Sequence, residues 1–211
     1  MTPRMIGIIM SAGQGLRLRP HTNDRPKGMV EVSGRPMLEY VIAFARRVGV
    51  DRIIVIGGFE AHTVKKYLNE KEPNIQFVET DLRTKGNLGT LMTALPTVDD
   101  SMLLMNADHI YGVAIAEKIA SQCRDITAFC DTDRLLGIDD MKVEAKDGAI
   151  NKISKKLETW THGYVGMTYI DKTMLPQYKF TAEQMLNESD GTVAVEAILG
   201  NLAAQGHRVA I

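Results

Sequence analysis

Short apolar runs alternate with amphipathic stretches through the first 130 residues. Met5-Ile6-Gly7-Ile8-Ile9-Met10 carries no charge and closes on Ser-Ala-Gly, which predicts a fully buried strand over 4–10. Over 36–48, Leu38, Val41, Ile42 and Ala45 recur at spacings of three and four, and Gly49 follows, which predicts a helix. The same reading predicts strands at 52–56, 75–78, 101–106 and 126–130, and helices at 62–68, 89–95 and 113–122. Strands alternating with helices imply βαβ units, a mostly parallel sheet and helices on both of its faces.

Beyond residue 130 the pattern changes. The runs 141–145 and 149–153, separated by Lys146-Asp147-Gly148, predict an antiparallel hairpin. A strand at 164–170 and a helix at 193–204 follow, the helix stopped by Gly206. The expected fold class is therefore α/β. It is a Rossmann-like, mostly parallel twisted sheet flanked by helices, with a small antiparallel β extension in the C-terminal half. One domain over 1–211 is expected, with halves at about 1–130 and 131–211. Arg208-Val209-Ala210-Ile211 reads as a strand with nothing after it, so the fold's last element is expected to lie past the end of the chain.

Composition narrows the function classes. The 211 residues are 45 % hydrophobic and 24 % charged, an ordinary globular balance. A net charge of −1 supplies no global field for nucleic acid or an anionic membrane, so any anion site must be a local cluster. Cys123 and Cys130 form neither a disulfide framework nor a zinc spacing and read as free core thiols of a reducing cytosol. No apolar run approaches a membrane span, and the N-terminus enters a strand without a signal peptide. A soluble cytoplasmic protein is expected.

The local cluster is evident in "SAGQGLRLRPHTNDRPKGMV", Ser11 to Val30, directly after the first strand. In a parallel α/β sheet, ligands bind at the carboxyl ends of the strands. Glycines there let backbone N–H groups approach phosphate oxygens, and Arg and Lys add charge for the same oxygens. The spacing is neither a Walker P-loop nor a dinucleotide fingerprint, because Gly13-x-Gly15 lacks the third glycine. Taken alone, the glycines equally fit a turn beside a solvated basic loop.

The longer segment "GQGLRLRPHTNDRPKGMVEVSGRPMLEYVI" resembles the signature of the nucleotidyltransferase superfamily that activates sugar phosphates and related phospho-alcohols. Gly13, Gly15, Arg17, Pro20, Thr22, Pro26, Lys27, Gly34, Pro36 and Met37 match it. The resemblance is clear from Ile6 to about residue 110 and looser to 211. It implies that an acceptor phosphate attacks the α-phosphorus of an NTP and that pyrophosphate leaves. The 1–130 half would then bind nucleotide and the remainder the acceptor. Ser11, Ala12, Gly13, Gln14 and Gly15 would supply nucleotide-binding backbone, with Arg17 on the β/γ-phosphates and Lys27 on the α-phosphate as catalytic cations. Arg19 and Arg25 are equally readable as surface charges.

Two further segments extend the resemblance. In "LLMNADHIYG", Asp108 matches the family aspartate that holds Mg²⁺, although a turn or N-cap aspartate would look the same. His109 could bond a phosphate or the acceptor, or simply pack. In "TKGNLGTLMTAL", Gly86, Asn87, Gly89 and Thr90 match the turn and helix that contact base and ribose, and Asn87 or Thr90 also suits a helix cap. The family's second acidic ligand has no clear match; Asp190 and Glu196 are candidates by position only.

The C-terminal half, "DDMKVEAKDGAINKISKKLETWTHGYVGMTYI", resembles enzymes that transfer CMP to inositol 1-phosphate, phosphocholine or aminoethylphosphonate. Asp140, Lys142, Val143, Asp147, Gly148, Ile153, Lys155, Gly163 and Gly166 follow that outline. Lys142 and Lys155 would face the acceptor, or else be solvated strand lysines, and Trp160 and Tyr164 would line its pocket or pack in the core. The resemblance thus implies an Mg²⁺-dependent nucleotidyltransferase using an NTP, CTP favoured, and a small phosphorylated or phosphonate acceptor. It implies no nucleic-acid or membrane partner and leaves open a homo-oligomer or a fusion to a second domain. The alternatives are a sugar-1-phosphate uridylyl-, guanylyl- or thymidylyltransferase, or a catalytically silent nucleotide-sensing domain.

Overall fold

The computed structural model describes residues 4–81 and 86–211. Thr84 and Lys85 of the third motif lie outside the described residues.

The chain begins with β1 (Met5–Ser11), whose uncharged sequence suits a position between two neighbours. A basic loop carrying single helical turns at Leu16–Leu18 and Lys27–Met29 follows it. The loop ends in a small hairpin, β2 (Glu31–Val32) and β3 (Arg35–Pro36). Next come α1 (Met37–Val48), β4 (Arg52–Gly57), α2 (Ala61–Lys71) and β5 (Gln76–Glu79). Then follow α3 (Gly86–Met92), β6 (Ser101–Asn106), α4 (Val113–Gln122) and β7 (Ile126–Asp131). The C-terminal half adds β8 (Lys142–Lys146), β9 (Ala149–Ser154), β10 (His162–Ile170), α5 (Leu175–Glu188), α6 (Ala197–Ala204) and β11 (Val209–Ala210).

Among the described residues, nine strands form one sheet in the order β5-β4-β1-β6-β10-β7-β11-β9-β8. β5, β4, β1 and β6 are parallel. β10 inserts antiparallel between β6 and β7, and β8–β9 form the expected hairpin. The registers place Ser11 beside Gly57, Met10 beside Asn106 and Gly57 beside Glu79. The carboxyl ends of four parallel strands therefore share one edge of the sheet.

The two-residue period of the strands divides the core in two. Ile8, Ile54, Ile56, Met102 and Leu104 face a layer made by α3, α5 and α6. Ile9, Val55, Leu103 and Met105 face the opposite layer of α1, α2 and α4. Side chains such as Ile8, Ile9 and Ile54 are completely buried, each contributing about 1.5–3 kcal/mol on removal from water. In α1, Leu38, Val41, Ile42 and Ala45 form the buried stripe that their spacing predicts.

Three segments differ from the sequence expectations. The third helix runs 86–92, not 89–95, because a separate helical turn, Leu95–Thr97, takes Pro96. The last helix begins at Ala197, after a loop from 189 on which α3 rests: Leu88 N–H donates to the Val193 carbonyl at 3.1 Å. α5 is an additional helix whose buried residues, Leu175, Tyr178, Thr181 and Ala182, make a stripe too narrow to announce it. The strand-like C-terminus enters the sheet: Val209 and Ala210 pair with β7 and Ala210 with β9.

Candidate active site

The carboxyl edge of β1 and β6 opens into a cleft. It is lined by Ser11, Ala12, Gly13, Gly15, Lys27, Gly28, Asn87, Thr90, Asn106 and Asp108. The basic loop folds back over β1 because Gly15 takes a left-handed conformation, φ 61°. A Cβ there would lie 3.0 Å from the Thr22 methyl and 3.1 Å from Lys27 Cβ. The buried Thr22 hydroxyl donates to the Gly15 carbonyl at 2.8 Å and closes the turn. Pro26 then leads into the helical turn that carries Lys27, so the ammonium reaches the cleft from an anchored backbone.

Opposite stands Asp108, two residues past the end of β6. The Lys27 ammonium donates to Asp108 Oδ2. His109 Nδ1 lies 2.8 Å from Asp108 Oδ1, a hydrogen bond in which Nδ1–H donates. Burial pushes the Asp108 carboxyl up, but the hydrogen bonds and charges of His109 and Lys27 outweigh it and hold the group well below the usual carboxylate range. Asp108 is therefore an anion that spends both oxygens on cationic or N–H partners.

The other sequence-singled residues divide. Ser11, Ala12, Gly13, Gly15, Asn87 and Thr90 line the cleft with Lys27 and Asp108. The Ser11 hydroxyl is buried, with no hydrogen-bond partner among the described residues. Thr90 Oγ1 also donates to the Gly86 carbonyl, 3.2 Å, inside α3. Gln14 is exposed, and Gly86 opens α3 against the backbone of Val193. Arg17 points elsewhere: its guanidinium donates to Asp139 Oδ2 at 2.6 Å in the loop between β7 and β8, and the side chain is 74 % exposed.

Of the residues expected to face an acceptor, Lys142 is buried. Its ammonium donates to the Lys155 carbonyl at 2.9 Å and sits 5.0 Å above the Trp160 ring. Only the Lys155 side chain of that pair is exposed. Asp190 is exposed. Glu196 precedes α6; burial raises its carboxyl, and the charges of Lys155 and His109 oppose the rise. Gly28, Asn106 and Ala107 also line the cleft without having been singled out. The available signal for Asn106 is an amide directly after the apolar run Met102 to Met105.

A chain of this shape, with glycine backbone, a lysine and an aspartate gathered at the carboxyl edge of β1 and β6, has the nucleotidyltransferase α/β fold. The inositol-1-phosphate CTP transferase of T. maritima superposes with a TM-score of 0.81 over 99 % of this chain and 84 % of that one, at 18 % identity. The sequence profile of the MobA-like NTP transferase domain matches residues 7–136, more than half of the chain, and the chain belongs to that family. The UTP–glucose-1-phosphate uridylyltransferase AglF of Haloferax volcanii is 29 % identical over 57 % of this chain and 50 % of its own length. The bifunctional IPC transferase and DIPP synthase of Aquifex aeolicus is 28 % identical over 86 % of this chain and 41 % of its own length. The chain thus spans about half the length, or less, of these curated relatives. Among the described residues no helix is long and apolar enough to cross a membrane.

Proposed function

We propose that this domain transfers a nucleotidyl group, CMP from CTP, to a small phosphorylated alcohol or phosphonate. The observation that carries the reading is Lys27 facing Asp108 across a cleft floored by glycine backbone at the strand ends. An acceptor phosphate oxygen forms the new P–O bond to the α-phosphorus. The α–β bridging P–O bond breaks, and pyrophosphate leaves with the electron pair. Positioning two polyanions and neutralising charge in the transition state is most of the task.

In this reading Lys27 binds the α-phosphate and meets the charge that grows on its oxygens. Backbone from Ser11 to Gly15 holds the triphosphate, and Asn87 and Thr90 face base and ribose. Arg17 reaches the β/γ-phosphates only by leaving Asp139. His109 and Lys155 orient the acceptor phosphate, while Lys142 braces the backbone beneath Lys155.

A magnesium ion suits the donor set. Asp108 is an ionised, half-buried oxygen ligand, and no group of three or more His, Cys, Asp or Glu is gathered for a metal among the described residues. One carboxylate plus substrate phosphates is a usual way of holding Mg²⁺. Asp108 would hold the ion once Lys27 moves to the nucleotide, and the ion would supply further neutralisation of phosphate charge.

CTP and a non-sugar acceptor are favoured by the Asp140–Gly166 outline. The CTP-using protein of similar fold and the IPC transferase relative support the same choice. The uridylyltransferase relative favours a second reading, UTP with a sugar 1-phosphate. Pyrophosphate release from CTP, UTP, GTP, ATP and dTTP would be measured with inositol 1-phosphate, phosphocholine, aminoethylphosphonate and glucose 1-phosphate. CTP with one of the first three is the expected pair. UTP with glucose 1-phosphate would establish the second reading. Silence with every pair would leave a nucleotide-sensing domain.

A further inference from the structure

β10 is irregular where it passes the cleft. Its register with β7 shifts between Tyr164 and Thr168, a bulge of the kind that re-aims side chains beside active sites. At its centre, Gly166 has φ +73°. A Cβ there would lie 2.8 Å from Asn106 Nδ2, 3.0 Å from His109 Cε1 and 3.1 Å from His109 Nε2. The first of these is closer than real Cβ contacts reach, and the imidazole edge therefore packs directly on backbone.

A second contact fixes the same segment. The Tyr111 hydroxyl donates to the Gly166 carbonyl at 3.1 Å and to the Val165 carbonyl at 3.3 Å. Its ring stacks on His109, centroids 5.9 Å apart and planes 13° apart, and contacts Phe44 of α1 at 4.9 Å. Burial and the nearby Asp108 charge push the Tyr111 phenol up, so it stays a protonated donor. His109 is thus held on one ring face by Tyr111, at one edge by Gly166, and at Nδ1 by Asp108.

We infer that Gly166 is a positioning residue, and Tyr111 its clamp, which together set the orientation in which His109 holds Asp108 at the cleft. The bulge acts as a stop. A side chain at 166 displaces the imidazole, and with it the Nδ1–H that fixes one carboxylate oxygen. Asp108 then faces the cleft in a different orientation. The value of this stop for turnover rests on the nucleotidyl-transfer reading; the geometric claim does not.

The test has two arms. In ¹⁵N-resolved imidazole NMR of the full chain, wild-type His109 is expected to show an Nδ1–H held in the hydrogen bond to Asp108. Gly166→Ala and Tyr111→Phe are expected to change that resonance pattern. In turnover, each substitution is expected to lower kcat about tenfold, and to cost less than about twofold further in a His109→Ala background, since coupled residues do not add. Nucleotide affinity stays near wild type in both. An unchanged imidazole spectrum, or full additivity with His109→Ala, overturns the inference. If Gly166→Ala fails to fold, Tyr111→Phe carries the same two readouts. A changed spectrum in a protein that turns over no nucleotide upholds the positioning role and removes the functional reading instead.

Discussion

The ammonium of Lys27 rests on Oδ2 of Asp108, a residue 81 positions further along the chain. One comes from the loop after β1 and the other from the end of β6, adjacent parallel strands whose registers bring them together. The cation proposed to neutralise the α-phosphate is thus paired with the carboxylate proposed to take the metal. On that proposal, nucleotide binding would exchange partners within the cleft.

Lys27→Ala should separate these two roles. Turnover should fall by about 10²–10³, the usual cost of losing one preorganised group at a developing charge. Stability should fall by no more than about 1 kcal/mol, since the pair is partly exposed and His109 still serves Asp108. Steady-state kinetics alongside urea unfolding makes the comparison. A large stability loss with normal turnover would make the pair structural.

Arg17 is paired with Asp139, 122 residues away, on a loop outside the cleft. If the guanidinium must leave Asp139 to reach the triphosphate, Asp139→Ala removes a competitor. Calorimetry should then show nucleotide binding tightened by about two- to fivefold, within the small worth of an exposed ion pair. Unchanged or weaker binding would show that the pair does not compete with nucleotide.

Lys142 and Lys155 should part company in the same way. Lys142 is buried with its ammonium on the Lys155 carbonyl and the Trp160 ring. Lys142→Ala leaves that carbonyl short of a donor and should cost about 1–3 kcal/mol of stability. Lys155→Ala, at an exposed position, should leave the melting temperature alone and raise KM for the acceptor. A reversal of those two phenotypes would return Lys142 to the acceptor site.

Much of this was legible in the sequence, for physical reasons. Met5 to Met10 and Met102 to Met105 are uncharged because both strands are covered on both faces, so their ends mark the carboxyl edge and hence Gly13, Gly15, Lys27 and Asp108. The Asp147-Gly148 turn gave the hairpin. What was not legible depends on contacts between distant segments. Nothing near Arg17 points to Asp139, and nothing in Lys-Val-Glu-Ala says that Lys142 turns inward. α5 hides because a helix needing one narrow stripe has little periodicity to show. Tyr111 and Gly166 meet only because β10 inserts antiparallel beside β6, a pairing that no local pattern encodes.

Burial raises the thiols of Cys123 and Cys130 to about 12. At pH 8 only about one thiol in ten thousand is then thiolate, the reactive form. Neither cysteine should react with iodoacetamide within an hour in the folded protein, and both should react at once in urea. Fast native labelling read by mass spectrometry would show that these segments open.

The most direct measurement is pyrophosphate release by wild type and Lys27→Ala, with CTP and Mg²⁺ and the three non-sugar acceptors. The account predicts one productive acceptor, a CMP-acceptor product formed one-to-one with pyrophosphate, and loss of both in the variant. No product from CTP with any of the three acceptors, or a variant as fast as wild type, would contradict it.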